Sequence, residues 1–284
     1  MNALQRLAGG AATAFALFAL TAPAFAGGSL KDKPAEPRRC TFSANIGLTT
    51  DYVFRGFSQS AEGPAVQGGF DATCGMFYAG VWASSLDFNG GNFGSQSFGK
   101  GPEFGFYDAS IEMDVYAGVK GTHGRFAWDL GVIYYAYPQQ KKYVPGTEDL
   151  PYFEMKAAVS TEVWKGGTVG VNVFYSPDYQ LESGQTWTFE GTFSQTLPTI
   201  FGRVTPTFSA LYGYQTNEGS NSYKFSYGAG DDHYSYWNAG ITFGLDKNWS
   251  LDVRYWDTDL ASGFCKGQTF QCDERVVGTL KFTY

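Results

Sequence analysis

Beyond its N-terminus the chain lacks any apolar run near the roughly 20 residues that a membrane helix needs, so it is not a helical membrane protein. Histidine is nearly missing: of 284 residues only His123 and His233 are His, both read as surface side chains. There is no G-x-S-x-G, H-E-x-x-H or P-loop, and no strand places a His beside a Ser and a carboxylate at a spacing plausible for catalysis. An EF-hand spacing is absent as well. The expectation is therefore a protein that is not an enzyme and has no cofactor or metal. Basic clusters are missing too, since Arg38-Arg39 and Lys141-Lys142 are isolated pairs in a chain of net charge -7. That argues against a nucleic-acid partner, which calls for basic clusters. Charge of either sign is sparse, at 17% of residues.

What the chain does have begins with a targeting pattern. Arg6 supplies a positive n-region, Ala8 to Leu20 is apolar or small, and Pro23 precedes an Ala24-Phe25-Ala26 cleavage site. Residues 1–26 read as a signal peptide, and loss of Arg6 with them leaves a net charge of -8. Residues 27–41, with Pro and charge over Lys31–Arg39, read as a periplasmic leader. The chain is 18% aromatic with 37 glycines, most of them in the remainder, 42–284, a composition that suits short strands whose rings meet lipid headgroups.

Period-2 alternation runs through that remainder. Ile111, Met113, Val115 and Ala117 alternate with Glu112, Asp114, Tyr116 and Gly118, and a helix would mix those faces. Phe126, Trp128, Leu130, Val132 and Tyr134 stand opposite Arg125, Asp129 and Gly131 in the same way. About twelve strands follow from this rule, over 42–56, 65–73, 76–88, 108–118, 125–137, 151–164, 168–176, 185–196, 203–214, 233–244, 248–258 and 273–284. Connections after odd strands are long, such as 89–107 and 215–232. Those after even strands are short, such as Cys74-Gly75 and Lys165-Gly166-Gly167. A transmembrane antiparallel up-and-down β-barrel has this rhythm, with short periplasmic turns and long extracellular loops; a β-sandwich has no reason to. The expected location is the bacterial outer membrane, with membrane lipid around the barrel. The last strand ends on Tyr284, an aromatic of the kind the barrel-assembly machinery reads.

One face of nearly every strand is uncharged, as lipid requires. The other gathers Asp51, Arg55, Asp71, Glu112, Asp114, Arg125, Asp129, Glu154, Lys156, Glu190, Asp252, Arg254 and Lys281, which become the candidate lumen-lining residues. Asp51 and Arg55, about 13 Å apart along one strand at ~3.3 Å per residue, cannot pair with each other and need partners on strand 2 or strand 12. Arg55 is read as a structural bridge at the barrel rim in preference to a solute contact. Glu112 and Asp114 are placed in the middle of strand 4. Cysteine topology allows only Cys40–Cys74 at one end and Cys265–Cys272 at the other, because a barrel wall ~25 Å tall separates the ends. For the first pair the leader must fold back to reach Cys74.

Residues 45–60, NIGLTTDYVFRGFSQS, with AVQGGFD at 65–71 and FYAGVWASSLDF at 77–88, resemble the TorF-type family of proteobacteria, whose members are classed as porins on barrel-like sequence. Tyr116-Ala117-Gly118 and the segment 131–138, GVIYYAYP, extend the resemblance through the first half of the barrel. It implies a porin. Two readings of the interior stand beside each other. The leading one is a narrow passive channel for small solutes or ions, mildly cation-preferring because acidic candidates outnumber basic ones. The alternative is an occluded barrel with a structural or surface-interaction role.

Overall fold

The computed structural model describes residues 40–87, 107–138, 140–142, 149–218, 232–265 and 271–284. The expected signal peptide and most of the leader lie outside the described residues, as does nearly all of 89–107 and 219–231. Twelve strands form one closed antiparallel barrel. They are β1 (Thr41–Thr49), β2 (Ala65–Cys74), β3 (Phe77–Ser85), β4 (Ile111–His123), β5 (Phe126–Ala136) and β6 (Tyr152–Trp164). Then come β7 (Gly167–Ser176), β8 (Thr186–Thr196), β9 (Thr205–Asn217), β10 (His233–Gly244), β11 (Trp249–Thr258) and β12 (Arg275–Thr283). Each strand pairs with its neighbour in sequence, and β1 closes on β12 from Asn45↔Thr283 to Thr49↔Thr279.

The alternation in sequence becomes inside against outside. Outward side chains are apolar and bare, as Phe42 at 78% and Phe70 at 70% exposure illustrate, with Leu48, Val115, Leu130, Val171 and Val253 also exposed. Aromatic rings ring both ends of this belt, Phe77, Phe126, Trp164 and Trp249 at the short-turn end and Tyr134, Phe153 and Tyr212 toward the long-loop end. Water does not tolerate an exposed apolar surface this continuous, whereas a bilayer core flanked by headgroups matches it.

Short turns close one end. Gly75, Gly124 and Gly166 take positive φ there, which a Cβ would resist. In the turn before β11 the exposed Asp246 carboxylate accepts the backbone N–H groups of Asn248 and Trp249, and these two bonds hold it below the usual carboxylate range. Both disulfides form as the topology requires, Cys40–Cys74 with Cα atoms 4.3 Å apart and Cys265–Cys272 at 4.7 Å. No fold-back of the leader is needed. β1 starts at Thr41 opposite Thr73, so Cys40 already faces Cys74 across the ladder.

Inside, tyrosines and glycines interlock. Tyr116 lies over its cross-strand partner Gly80, Tyr236 over Gly213, and Tyr78 over Gly118 and Gly131. A Cβ at any of these glycines would collide with the ring. Each ring therefore lies flat along the wall and spans to the next strand, where its hydroxyl meets a carboxylate.

One expectation about the strands fails. The first strand was read over 42–56, but β1 ends at Thr49, and the chain then turns inward instead of continuing up the wall.

Candidate functional site

The inward segment is a small hairpin. Val53 pairs with Ser58 and Phe54 with Phe57, around the two-residue turn Arg55-Gly56. Both turn residues have positive φ, 47° and 90°, the geometry of the tight hairpin turn that favours X-Gly. At Gly56 a side chain is excluded twice, by φ and by Thr258 and Tyr236 packed against the position. Asp51 braces the base, accepting the hydroxyls of Ser58 at 2.6 Å and Ser60 at 2.9 Å and an Nη1 bond from Arg275 at 2.9 Å. The backbone N–H of Gln59 donates to the Tyr52 carbonyl at 2.6 Å, which closes the base.

This finger crosses the interior and carries Arg55 at its tip. The guanidinium meets Glu154 of β6 in a two-pronged contact, Nη1 to Oε1 at 2.8 Å and Nη2 to Oε2 at 2.9 Å. It lies between the rings of Phe54 and Phe174, 4.9 and 5.0 Å from their centroids. Gln215 of β9 accepts a third, longer bond at 3.3 Å, and the Tyr135 hydroxyl donates to Glu154 at 3.0 Å. Arg55 is 3% and Glu154 1% exposed. Tyr234 of β10 donates its hydroxyl to the Arg55 carbonyl at 3.0 Å, which ties the tip to a third region of the wall.

The flanks of the finger are apolar. On one side Tyr52 and Phe54 join Trp82, Tyr135, Tyr137, Tyr152, Phe174 and Tyr179 in one cluster. On the other, Val53 and Phe57 pack against Leu211, Tyr234, Tyr236, Trp256 and Val277. The finger is thus packed between two clusters of wall side chains in the long-loop half of the interior. Toward the short turns the packing loosens, and Asp71, Tyr78, Lys120, Ser194 and Ser209 are partly exposed.

Two of the sequence candidates change place. Asp51 and Arg55 are not on a strand face. They belong to the finger, and although Asp51 does meet β12 through Arg275, Arg55 reaches β6 instead of strand 2 or 12. It is accordingly not a rim bridge. Arg125 is not in the interior at all. It sits exposed in the short turn before β5 and donates to Thr161 Oγ1 at 3.2 Å. Glu112 and Asp114 do point inward, but β4 begins at Ile111, which puts them at the long-loop end and not in the middle.

The other candidates are inward and engaged. Tyr116 donates to Asp71 at 2.5 Å, Tyr78 to Asp129 at 2.7 Å and Tyr236 to Glu190 at 2.7 Å. Lys156 pairs with Asp129 at 3.1 Å, and Asn172 donates to Glu190 at 2.9 Å. Arg254 grips Asp252 through Nε at 3.1 Å and Nη2 at 3.0 Å, with Thr242, Asn238 and Ser209 completing that cluster. Lys281 is buried near Asp71. Tyr52 donates to Glu112 at 2.5 Å, while Asp114 keeps Oδ1 buried with no hydrogen-bond partner.

Sequence reasoning missed the tyrosines as partners of these acids, and it missed Arg275, Gln215 and Phe174. The Tyr-over-Gly register has no single-strand signature. The finger had only a weak one, Gly56 between Val53-Phe54 and Phe57, because two-residue hairpin turns favour Asn, Asp or Gly where Arg55 stands. His123 and His233 are both exposed, the latter beside Asp232 at 3.1 Å.

Comparison with known proteins yields a family and a set of barrels. No curated protein matches the sequence. Among solved structures, the KdgM porin is 10% identical, with 85% of this chain and 98% of that chain covered and a TM-score of 0.48. The NanC porin is 8% identical over 86% and 98% of the two chains, with a TM-score of 0.44. LpxR from Salmonella typhimurium is 9% identical over 85% and 99%, with a TM-score of 0.42. The model of a family described as "bacterial protein of unknown function (Gcw_chp)" matches residues 32–284, and the chain belongs to that family.

Proposed function

We propose that this protein is an outer-membrane, porin-like barrel that passes small solutes when the hairpin finger withdraws, and that the finger-in arrangement is its closed state. One observation carries the reading: the element that crosses the interior is a loop packed between wall side chains, not a wall strand. A hairpin tethered at Thr49 and Ala65 can leave as a unit, whereas packed wall strands cannot. Its hold combines the Arg55–Glu154 pair with the apolar flanks and the Asp51–Arg275 pair. A buried charge pair resists loss of either partner by about 3–5 kcal/mol, and the desolvated ring contacts of Arg55 add roughly 1–2 kcal/mol. Against this stands about 1–2 kcal/mol for Arg55 in a left-handed conformation.

In this reading residues 1–26 are removed on export, the short turns face the periplasm and the long loops face outward. The strand that ends at Tyr284 is the one offered to the assembly machinery. The TorF-type resemblance is in keeping with a porin. Glu112, Asp114 and Glu154 are all buried in the long-loop half, where Arg55 pairs with Glu154 alone, so in this reading the open path prefers cations. A second reading, an occluded barrel with a structural or surface role, is favoured by the tyrosine–glycine joints and paired charges that fill much of the remaining interior.

Solute flux into proteoliposomes separates the two. Wild-type protein should admit small sugars and amino acids slowly, and the Arg55→Ala variant much faster. A folded Arg55→Ala barrel that admits nothing would leave only the structural role.

A further inference from the structure

The wall that receives the finger is built for the group the finger carries. Glu154, Tyr135, Phe174 and Gln215 belong to four different wall strands, and together they offer a forked carboxylate, a ring face and an amide oxygen to one planar cation. A guanidinium matches that set better than an ammonium, because its N–H groups are fixed in the plane of the fork and its face stacks on a ring. None of these four residues is part of the finger, so the site persists when the finger leaves.

The tethered occupant also leaves the site incomplete. Arg55 Nε–H is buried with no partner, and Asp114 Oδ1 is buried with no partner nearby. Among the described residues neither Glu112 nor Asp114 forms an ion pair, so these two buried carboxylates at the long-loop end have no cation of their own. An isolated buried carboxylate is costly, and a second positive charge would relieve it.

We propose that the Glu154–Phe174–Gln215 site binds the guanidinium group of a small cationic solute in competition with Arg55, so that the solute displaces the finger and opens its own path. This rests on the porin-like reading and adds the solute class to it. The side chain of Arg55 then acts as a built-in surrogate for the solute.

The test uses the full mature protein refolded in detergent, with agmatine as the guanidinium probe and N-butylurea as its neutral counterpart. In Arg55→Ala, calorimetry should show agmatine bound at least tenfold more tightly than butylurea. The wild type should bind agmatine at least tenfold more weakly than Arg55→Ala does, and adding Glu154→Gln to Arg55→Ala should abolish the preference. Equal binding of the two probes, or a preference that survives Glu154→Gln, overturns the proposal. If Arg55→Ala does not refold, the parent barrel with Gln59→Cys serves instead. Agmatine should speed thiol labelling of that cysteine, butylurea should not, and no acceleration by agmatine overturns the proposal equally. Conductance in potassium chloride keeps the two ideas apart. An Arg55→Ala barrel that conducts without preferring agmatine sinks the site and spares the passage, and one that prefers agmatine without conducting does the reverse.

Discussion

Glu154→Gln removes one charge from the latch and almost nothing else. The amide keeps the shape of the carboxylate and can still accept from Tyr135, but the two bonds from Arg55 to an ionised acceptor, at 2.8 and 2.9 Å, become at best one bond to a neutral amide oxygen, with the amide N–H groups facing the guanidinium. Arg55, 3% exposed, would then be a buried cation whose remaining acceptor is Gln215 at 3.3 Å. Breaking a buried pair in this way costs about 3–5 kcal/mol. The barrel ladder does not depend on Arg55, so in this account the response is withdrawal of the finger, opposed in parent and variant alike by the burial of Val53, Phe54 and Phe57. At ~1.4 kcal/mol per factor of ten, the withdrawn population rises by at least about 100-fold. A cysteine at Gln59 reports it, because Gln59 is buried in the finger and all four native cysteines are in disulfides. Maleimide labelling of Gln59→Cys should run at least about 100-fold faster in the Glu154→Gln background, in proportion to the open population. A rate within threefold of the parent, in a barrel with unchanged circular dichroism, would refute the latch.

Four further outcomes follow from the same geometry. Gly213→Val should force Tyr236 off the wall and break its bond to Glu190, lowering stability by roughly 1–3 kcal/mol in denaturant refolding, while Gly191→Ala, with open space around it, should be near neutral. Leu130→Arg on the outer belt should cost about 2–4 kcal/mol in vesicle refolding, as a charge at mid-bilayer does. Replacing Cys265 and Cys272 together by Ser should cost about 2 kcal/mol on a chain-entropy estimate for a short loop and lower the thermal midpoint. Arg125→Ala should leave the reversal potential of any conducting variant unchanged, since Arg125 is exposed in a short turn.

How much of this was legible in sequence depended on the range of the interaction. Alternation is local, so the strands and their inside and outside faces could be read directly, and β10 matches its expected bounds of 233–244. The disulfides followed because barrel ends are far apart. The finger was misread because Asp51-Tyr52-Val53-Phe54 continues the β1 pattern without a break, and only the Arg-Gly turn and the partners of Arg55 distinguish a hairpin from a longer strand. Those partners lie 99 and 160 positions away, at Glu154 and Gln215. No spacing rule within one strand could pair them. The acids at Asp71, Asp129 and Glu190 were recognised as inward, yet their tyrosine partners were not, because that pairing is set by the register between strands. Arg125 failed for a simpler reason: parity alone put it inside, but it belongs to the turn.

The central claim is that a movable finger, and not the wall, closes the barrel, and single-channel recording in planar bilayers tests it most directly. Wild-type protein should stay closed with brief openings, and Arg55→Ala in the same membrane should raise the open probability by at least about 100-fold, the factor that a latch of ~3 kcal/mol implies. Steady wild-type conductance that Arg55→Ala leaves unchanged would contradict the account.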